Sequence, residues 1–392
     1  MTQPGASRFR WIVLAVFVLS TTINYLDRQT LSALAPAIQN DFGLSDTKFG
    51  LIVSVFSLPY AIMAPFAGLL IDRIGLTRGI TLAVGLWSCA GVATGFTTGL
   101  GGMIACRALL GIAEAAGIPA AGKAIVTYAK AGERAVGHAM NQAAVSLGMI
   151  LAPPMATFIW LRSGWRAAFV VTGILGLAWI PLWRAVGRDA PVAVDGGGVS
   201  PHSDPRLWAF VGANALNGIL YSLWTNWTTK YLATVFHLDL VGANRYAWIP
   251  PVFALAGGFG CGWASLQLVR RGTPVVTARY RVCVACGVVA LATLALPLAP
   301  SPAWAAAGIS LSIGAVAGFS VNLYALPLDT FGATRAAFAV SMLVASYGGS
   351  QALVSGAIGW TRDHYGYAPV TALAAFTPLL ACAVLRAARA ER

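Results

Sequence analysis

Apolar residues dominate the chain in runs of about twenty, broken by short polar or Gly/Pro-bearing links such as "GFTTGLGG" and "LAPSPA". A run of that length is what a helix needs to cross the roughly 30 Å hydrocarbon core of a bilayer. Read this way, the sequence predicts twelve spans, at about 10–37, 46–71, 78–97, 101–128, 134–160, 165–185, 206–230, 243–269, 278–298, 303–328, 335–360 and 368–386. The one long polar stretch, "VGRDAPVAVDGGGVSPHSDP" (186–205), separates two sets of six. The predicted organisation is an all-α membrane protein with an N-terminal six-helix half (1–185), a central loop (186–205) and a C-terminal six-helix half (206–392).

Composition agrees with this pattern. The 392 residues are 58% hydrophobic and only 10% charged, against about 25% charged in a soluble domain. The net charge of +13 would fit a nucleic-acid binder, but the positions of the charges argue otherwise. With a cytoplasmic amino terminus, seventeen of the 26 Lys and Arg fall on the cytoplasmic side, six fall opposite, and three (Arg28, Arg107 and Lys123) lie within spans. The bias is a topology signal that puts both termini in the cytoplasm. The first span lacks a small-residue cleavage site and is read as retained. Six cysteines are scattered, and "CVAC" (283–286) falls in an apolar span with no partner pair, so it reads as packing rather than a metal or redox motif.

A faint repeat links the halves: "SGWRAAF" (163–169) and "YGYAPV" (365–370) follow corresponding spans about 200 residues apart. Parallel six-helix halves joined by a cytoplasmic loop are an architecture of secondary transporters, with the site near the midplane. Spans 1, 4, 7 and 10 should line the cavity. Gly and Pro are dense in "GIAEAAGIPAAG" (111–122), "GMILAPP" (148–154) and "IPPVFALAGGFGCG" (249–262). This fits both close helix packing and bending during transport.

Charge within a span must be paired or face water, so it marks function by default. Asp27 and Arg28 lie deep in span 1, Arg107 and Glu114 in span 4. Arg107 and Glu114 are seven apart and share a helix face, about 10 Å apart along the axis. Tyr25 and Arg28, three apart, share a face of span 1. Asp27 points elsewhere. The economical arrangement pairs Asp27 with Arg107 and leaves the Arg28 guanidinium as a two-pronged site for a substrate carboxylate. Glu114 lies among Ala, Ile and Gly, where desolvation resists ionisation and suits a proton carrier. The alternative is a static buried network of all four groups. The second half offers Asn214, Asn217, Tyr221, Trp224 and Asn226 in span 7, Asn322 and Tyr324 in span 10, and Ser346, Tyr347, Ser350 and Gln351 in span 11. Asn217, Tyr221, Asn322, Tyr324 and Ser346 are candidate substrate contacts. The alternative there is hydrogen bonding between helices.

"GLLIDRIGLTRG" (68–79) resembles the loop 2–3 signature of the major facilitator superfamily, with Gly68, Asp72, Arg73, Gly75 and Arg78. In that family the motif is a cytoplasmic gating latch. Within it, "NYLDRQTLSALAPAI", "RALLGIAEAAGIPAAGKAIVTYAKAGERA" and "NQAAVSLGMILAPPMATFIWLRSGWRAAFV" are similar to the anion:cation symporter family, which includes hexuronate and galactonate permeases. The resemblance covers most of 24–170; around "AWIPPVFALAGGFG" and "LDTFG" it is looser. It implies the major facilitator fold and substrate-carboxylate binding at Arg28. It also implies proton coupling through Asp27 and Glu114, Arg107 as the partner of Asp27, and cavity tyrosines at Tyr25 and Tyr60. Asn141 matches a family Asn; Ala144 stands where some sugar-acid members carry Gln.

The sequence therefore predicts a proton-coupled symporter of an organic anion, a sugar acid such as a hexuronate or aldonate, in the bacterial cytoplasmic membrane. It has no catalytic residues, cofactor or metal, and no nucleic-acid partner. Its partners are the anion, the proton and the lipid bilayer, and it acts as a monomer. A non-sugar mono- or dicarboxylate is the alternative substrate. A membrane sensor is the reading from another class, and no output domain supports it.

Overall fold

The computed structural model describes residues 4–130, 133–187, 204–331 and 333–390. The central loop predicted at 186–205 lies largely outside them. The described chain is helical throughout: α1 (Pro4–Ala33), α2 (Ala35–Phe42), α3 (Asp46–Ile74), α4 (Leu76–Thr94), α5 (Leu100–Glu114), α6 (Gly117–Tyr128), α7 (Arg134–Val186), α8 (Pro205–Val235), α9 (Leu240–Ala247), α10 (Ile249–Arg270), α11 (Val275–Ala290), α12 (Pro302–Phe331), α13 (Ala333–Tyr365) and α14 (Tyr367–Ala390). A 3-10 stretch, Leu291–Leu298, extends α11. Nine segments among the described residues are long and apolar enough to cross a membrane.

Several predicted spans are broken helices. Span 4 divides into α5 and α6 directly after Glu114. Pro119 has no N–H for the Ala115 carbonyl, so the ladder cannot run through. The predicted spans 5 and 6 both fall in α7, on either side of a non-helical residue, Gly164, φ 78° and ψ 170°. A side chain would be strained there, so glycine permits the chain to turn between the two apolar runs. Gly75, φ 89°, does the same between α3 and α4 within the gating motif.

The chain forms two compact units, Met1–Gly43 with Val55–Ala193, and Leu44–Ser54 with Val194–Arg392. In the first unit α1 packs on α7, and α4 lies against α5 and α7. Its apolar core includes Val13, Leu14, Phe17, Trp87, Phe169, Trp179 and Trp183. In the second, α12 lies against α8, α10 and α11, with Leu223, Trp227, Ile309 and Phe319 fully buried.

Leu44–Ser54 belongs to the second unit although it lies early in the chain. The first turn of α3 explains it. Asp46 makes ion pairs with Lys230 and with Arg362 (2.6 Å). Asp363 accepts from the Asp46 and Thr47 amides (3.1 and 2.8 Å) and from the Thr47 hydroxyl (2.7 Å). A Cβ on Gly50 would collide with the Ser355 carbonyl, and one on Gly359 with the Asp46 carbonyl. Backbone contact and a shared carboxylate thus fasten these residues to α8 and α13.

Candidate functional site

The deep charges of the first unit come from α1 and α5. Asp27, Arg107 and Glu114 are each at most 2% exposed. Arg28 donates from Nε and Nη2 to the same Glu114 oxygen, Oε2, at 3.0 and 2.7 Å. The second Glu114 oxygen, Oε1, is buried without a hydrogen-bond partner among the described residues. Three aromatic rings surround the guanidinium: Tyr25, Phe56 and Tyr60 have centroids 4.9, 4.7 and 5.0 Å from its central carbon. A cation against ring faces is attracted by their quadrupoles, more strongly where water is excluded. Phe56 stacks on Tyr60 at 5.8 Å, one turn along α3.

This corrects the expected pairing. Arg28 is held by Glu114, not left open, and Asp27 makes no salt bridge to Arg107. One Asp27 oxygen accepts from the Thr172 hydroxyl at 2.7 Å. The carboxylate also lies against Gly91 of α4, where a Cβ would come within 3.3 Å of it. Arg107 remains electrostatically coupled to Asp27 and Glu114, and its guanidinium sits 5.4 Å from the Phe169 ring. The physical reason is height along the helices. Glu114 lies two turns beyond Arg107 on α5, and that is the level of Arg28. Helical spacing gave the right face of α5 but not which acid each base meets.

Other predicted residues have plain placements. Asn141 of α7 accepts from Thr21 of α1 at 2.9 Å. Lys123 donates to the Ile71 carbonyl at 3.1 Å. In the 68–79 motif Gly68 faces Pro119 of α6, Arg73 and Arg78 are exposed, and the Asp72 side chain lies outside the described residues.

In the second unit the candidate amides tie helices together. Asn214 donates to the Leu343 carbonyl (2.7 Å) and Ser346 Oγ (3.1 Å). Asn217 donates to the Val316 carbonyl (3.2 Å) and Ser320 Oγ (2.9 Å). Asn322 donates to the Cys261 and Gly318 carbonyls (3.3 and 3.0 Å). The amide oxygens of Asn217 and Asn322 are buried without partners among the described residues. Tyr221 packs edge-on against Tyr347 at 5.9 Å. Tyr324 and Ser346 are half-buried on α12 and α13.

Sequence reasoning missed Phe56, Thr172 and the Asp46 cluster. Phe56 was available, since it stands four residues before Tyr60 on the same helical face. Thr172 carries no local signal. Among the described residues no group of His, Cys, Asp and Glu is placed to hold a metal ion.

The site thus contains two acids and two bases, close enough to act on one another, inside a helical unit rich in apolar spans. Such a site can exchange an internal carboxylate for an external anion. The chain is 25% identical to the hexuronate transporter of Escherichia coli (strain K12) over 408 residues, covering 96% of this chain and 93% of that protein. It is 26% identical to the galacturonate transporter of Dickeya chrysanthemi over 274 residues, 63% of this chain and 79% of the relative. The crystal structure of a bacterial homolog of the human lysosomal transporter Spinster, inward-facing and unoccupied, superposes with a TM-score of 0.77 at 21% identity. It covers all of this chain and 96% of that one. The family model described as Major Facilitator Superfamily matches residues 17–355, and the chain belongs to that family of membrane transporters.

Proposed function

We propose that this protein is a proton-coupled symporter that imports an organic anion, a sugar acid such as a hexuronate or aldonate, by alternating access. The observation that carries the reading is the Arg28–Glu114 pair inside its aromatic walls. With Glu114 ionised, its carboxylate occupies the guanidinium. A proton on Glu114 removes that charge and frees the planar fork, which then takes the substrate carboxylate in the same geometry. The empty pair is neutral, and so is the pair after it gains one proton and one monoanion. Either ion arriving alone leaves a net charge in a buried site, which is costly. Proton and anion are coupled because only the neutral forms reorient readily. Asp27 and Arg107 form a second balanced acid and base that sets the field around the first. The sugar-acid class is supported by the relatives named above. Hydroxyls on such a substrate call for donors and acceptors of the kind carried in the first unit by Asn141, Tyr25 and Tyr60.

The transporter reading includes twelve spans in two halves. The 51-residue apolar segment Val136–Val186 doubles as two spans about Gly164. The helices α8 and α13, of 31 and 33 residues, are long enough to cross although less apolar. Positive-inside asymmetry places both termini in the cytoplasm. The loop bearing Gly68, Asp72, Arg73, Gly75 and Arg78 then acts as the cytoplasmic latch, in a monomer of the bacterial inner membrane.

The test uses purified protein in proteoliposomes with labelled glucuronate and galactonate. Wild type should accumulate the acid against its gradient when the outside is acidified. Glu114→Gln mimics the protonated acid, so it should lose uphill uptake, keep exchange of internal for external substrate, and bind with little pH dependence. Uphill uptake by a well-folded Glu114→Gln protein would sink the assignment.

A further inference from the structure

The cysteines of the second unit gather in a way their sequence spacing does not suggest. Cys286 of α11 faces not its neighbour Cys283 but Cys261 of α10, with the two sulfurs 3.6 Å apart. Cys283, fully buried, points instead toward the Phe319 carbonyl at 3.8 Å. Space for Cys261 is made by α12: a Cβ on Gly318 would collide with its sulfur. Cys261 is half-exposed, whereas Cys286 is buried. The sulfurs are in contact across two helices, Cys261 being the more exposed of the two, and neither takes part in the site described above.

We propose that Cys261 and Cys286 form an oxidisable dithiol that closes to a disulfide and fastens α10 to α11. The oxidant is a small organic disulfide. The Cys261 thiolate attacks one sulfur of the disulfide, forming a mixed disulfide and releasing one small thiol. The Cys286 thiolate then attacks the Cys261 sulfur, the protein disulfide forms, and the second small thiol leaves. The protein loses two hydrogens and two electrons, and the small disulfide gains them as two thiols. The order follows exposure, the more exposed Cys261 reacting first. Closure brings the sulfurs from contact to a bond of about 2.05 Å. The Asn322 amide donates to the Cys261 carbonyl, so the closed pair lies directly behind α12.

The test counts thiols on the purified full-length protein in liposomes. After treatment with 2-hydroxyethyl disulfide, removal of excess reagent, denaturation and alkylation with N-ethylmaleimide, intact mass is read on the monomer fraction. The chain has six cysteines, and wild type should fall from six adducts to four, returning to six after dithiothreitol. Cys261→Ser and Cys286→Ser should each show no internal disulfide, whereas Cys283→Ser and Cys382→Ser should still lose two adducts. Peptide mapping of oxidised wild type should recover a linked pair containing residues 261 and 286, which keeps the test decisive if a variant folds poorly. Six adducts after oxidation, or a linked pair formed by other cysteines, would overturn the proposal.

Discussion

The two units bury different chemistry. The first places Asp27, Arg28, Arg107 and Glu114 deep within α1 and α5. The second places amides and hydroxyls at comparable depth in α8, α12 and α13, and its Asp46, Lys230, Arg362 and Asp363 lie near helix ends. The bonding differs as well. The Glu114 carboxylate is held through one oxygen by one arginine, with the other oxygen unpartnered among the described residues. Asp46 and Asp363 instead share two cations, two backbone amides and a hydroxyl. A thinly bonded buried acid changes state when one proton or one ligand arrives. A cluster with redundant partners resists any single change. Under the proposed mechanism, the first unit would carry the switching chemistry and the helix ends of the second a holding role.

The strongest way to break that contrast is to remove a deep charge. Arg107→Ala should destabilise the protein by about 3–5 kcal/mol, the usual cost of leaving a buried charge uncompensated. Asp27→Asn should cost a similar amount, and the double variant less than the sum. Denaturation of all three forms in one detergent measures the cycle. Strict additivity would show that the two side chains do not interact.

Next in size is Arg28→Lys. Lysine keeps the charge but loses the planar fork that meets a carboxylate at two points. Binding of a labelled sugar acid should weaken about 100-fold, or about 2.7 kcal/mol, with the melting temperature little changed. Near-wild-type affinity would remove Arg28 from the binding site.

The second unit should respond less. Asn217→Ala deletes donors to Val316 and Ser320 and should lower stability by only about 0.6 kcal/mol, the mean for interhelical hydrogen bonds in membranes. A loss of several kcal/mol there would erase the distinction between the units.

The smallest expected effect is a pH dependence at the helix ends. Asp363 lies beyond the span read at 335–360. Burial pushes its carboxyl up, but bonds from the Thr47 hydroxyl and the Thr47 and Asp46 amides, with the charge of Arg362, outweigh burial. They hold it below the usual carboxylate range. A carboxyl more easily ionised when folded than unfolded adds stability above its unfolded value of about 3.9. That stability is lost as pH falls through the folded value. Acid melts of wild type should therefore show a component that Asp363→Asn lacks.

Much of this was legible from the sequence because hydrocarbon is an unforgiving solvent. Runs of twenty apolar residues have few other uses, and Asp27, Arg28, Arg107 and Glu114 stand out against them. Tyr25 and Arg28 share a face as helical spacing requires. What could not be read is which side chain on one helix meets which on another. Arg28 was expected to be open and Asp27 to bridge Arg107, yet Glu114 and Thr172 take those places. The Asp46 cluster was invisible for the same reason: its hydrogen-bond partner Asp363 is 317 residues away. The breaks at Ala115–Ala116 and Gly164 were only half visible. Pro119 and Gly164 mark them, but glycine and proline are too frequent in this chain to single out two.

The first turn of α3 has a consequence for biogenesis. The amides of Asp46 and Thr47 are among the four that a helix start leaves without internal partners, and their acceptor is Asp363. On the ribosome α3 is made long before α13. Through most of synthesis these amides have only water or lipid headgroups to bond, and the segment waits as a late-closing seam. A nascent chain arrested before residue 363 should be clipped by protease near residues 44–47, and the completed chain should be protected there.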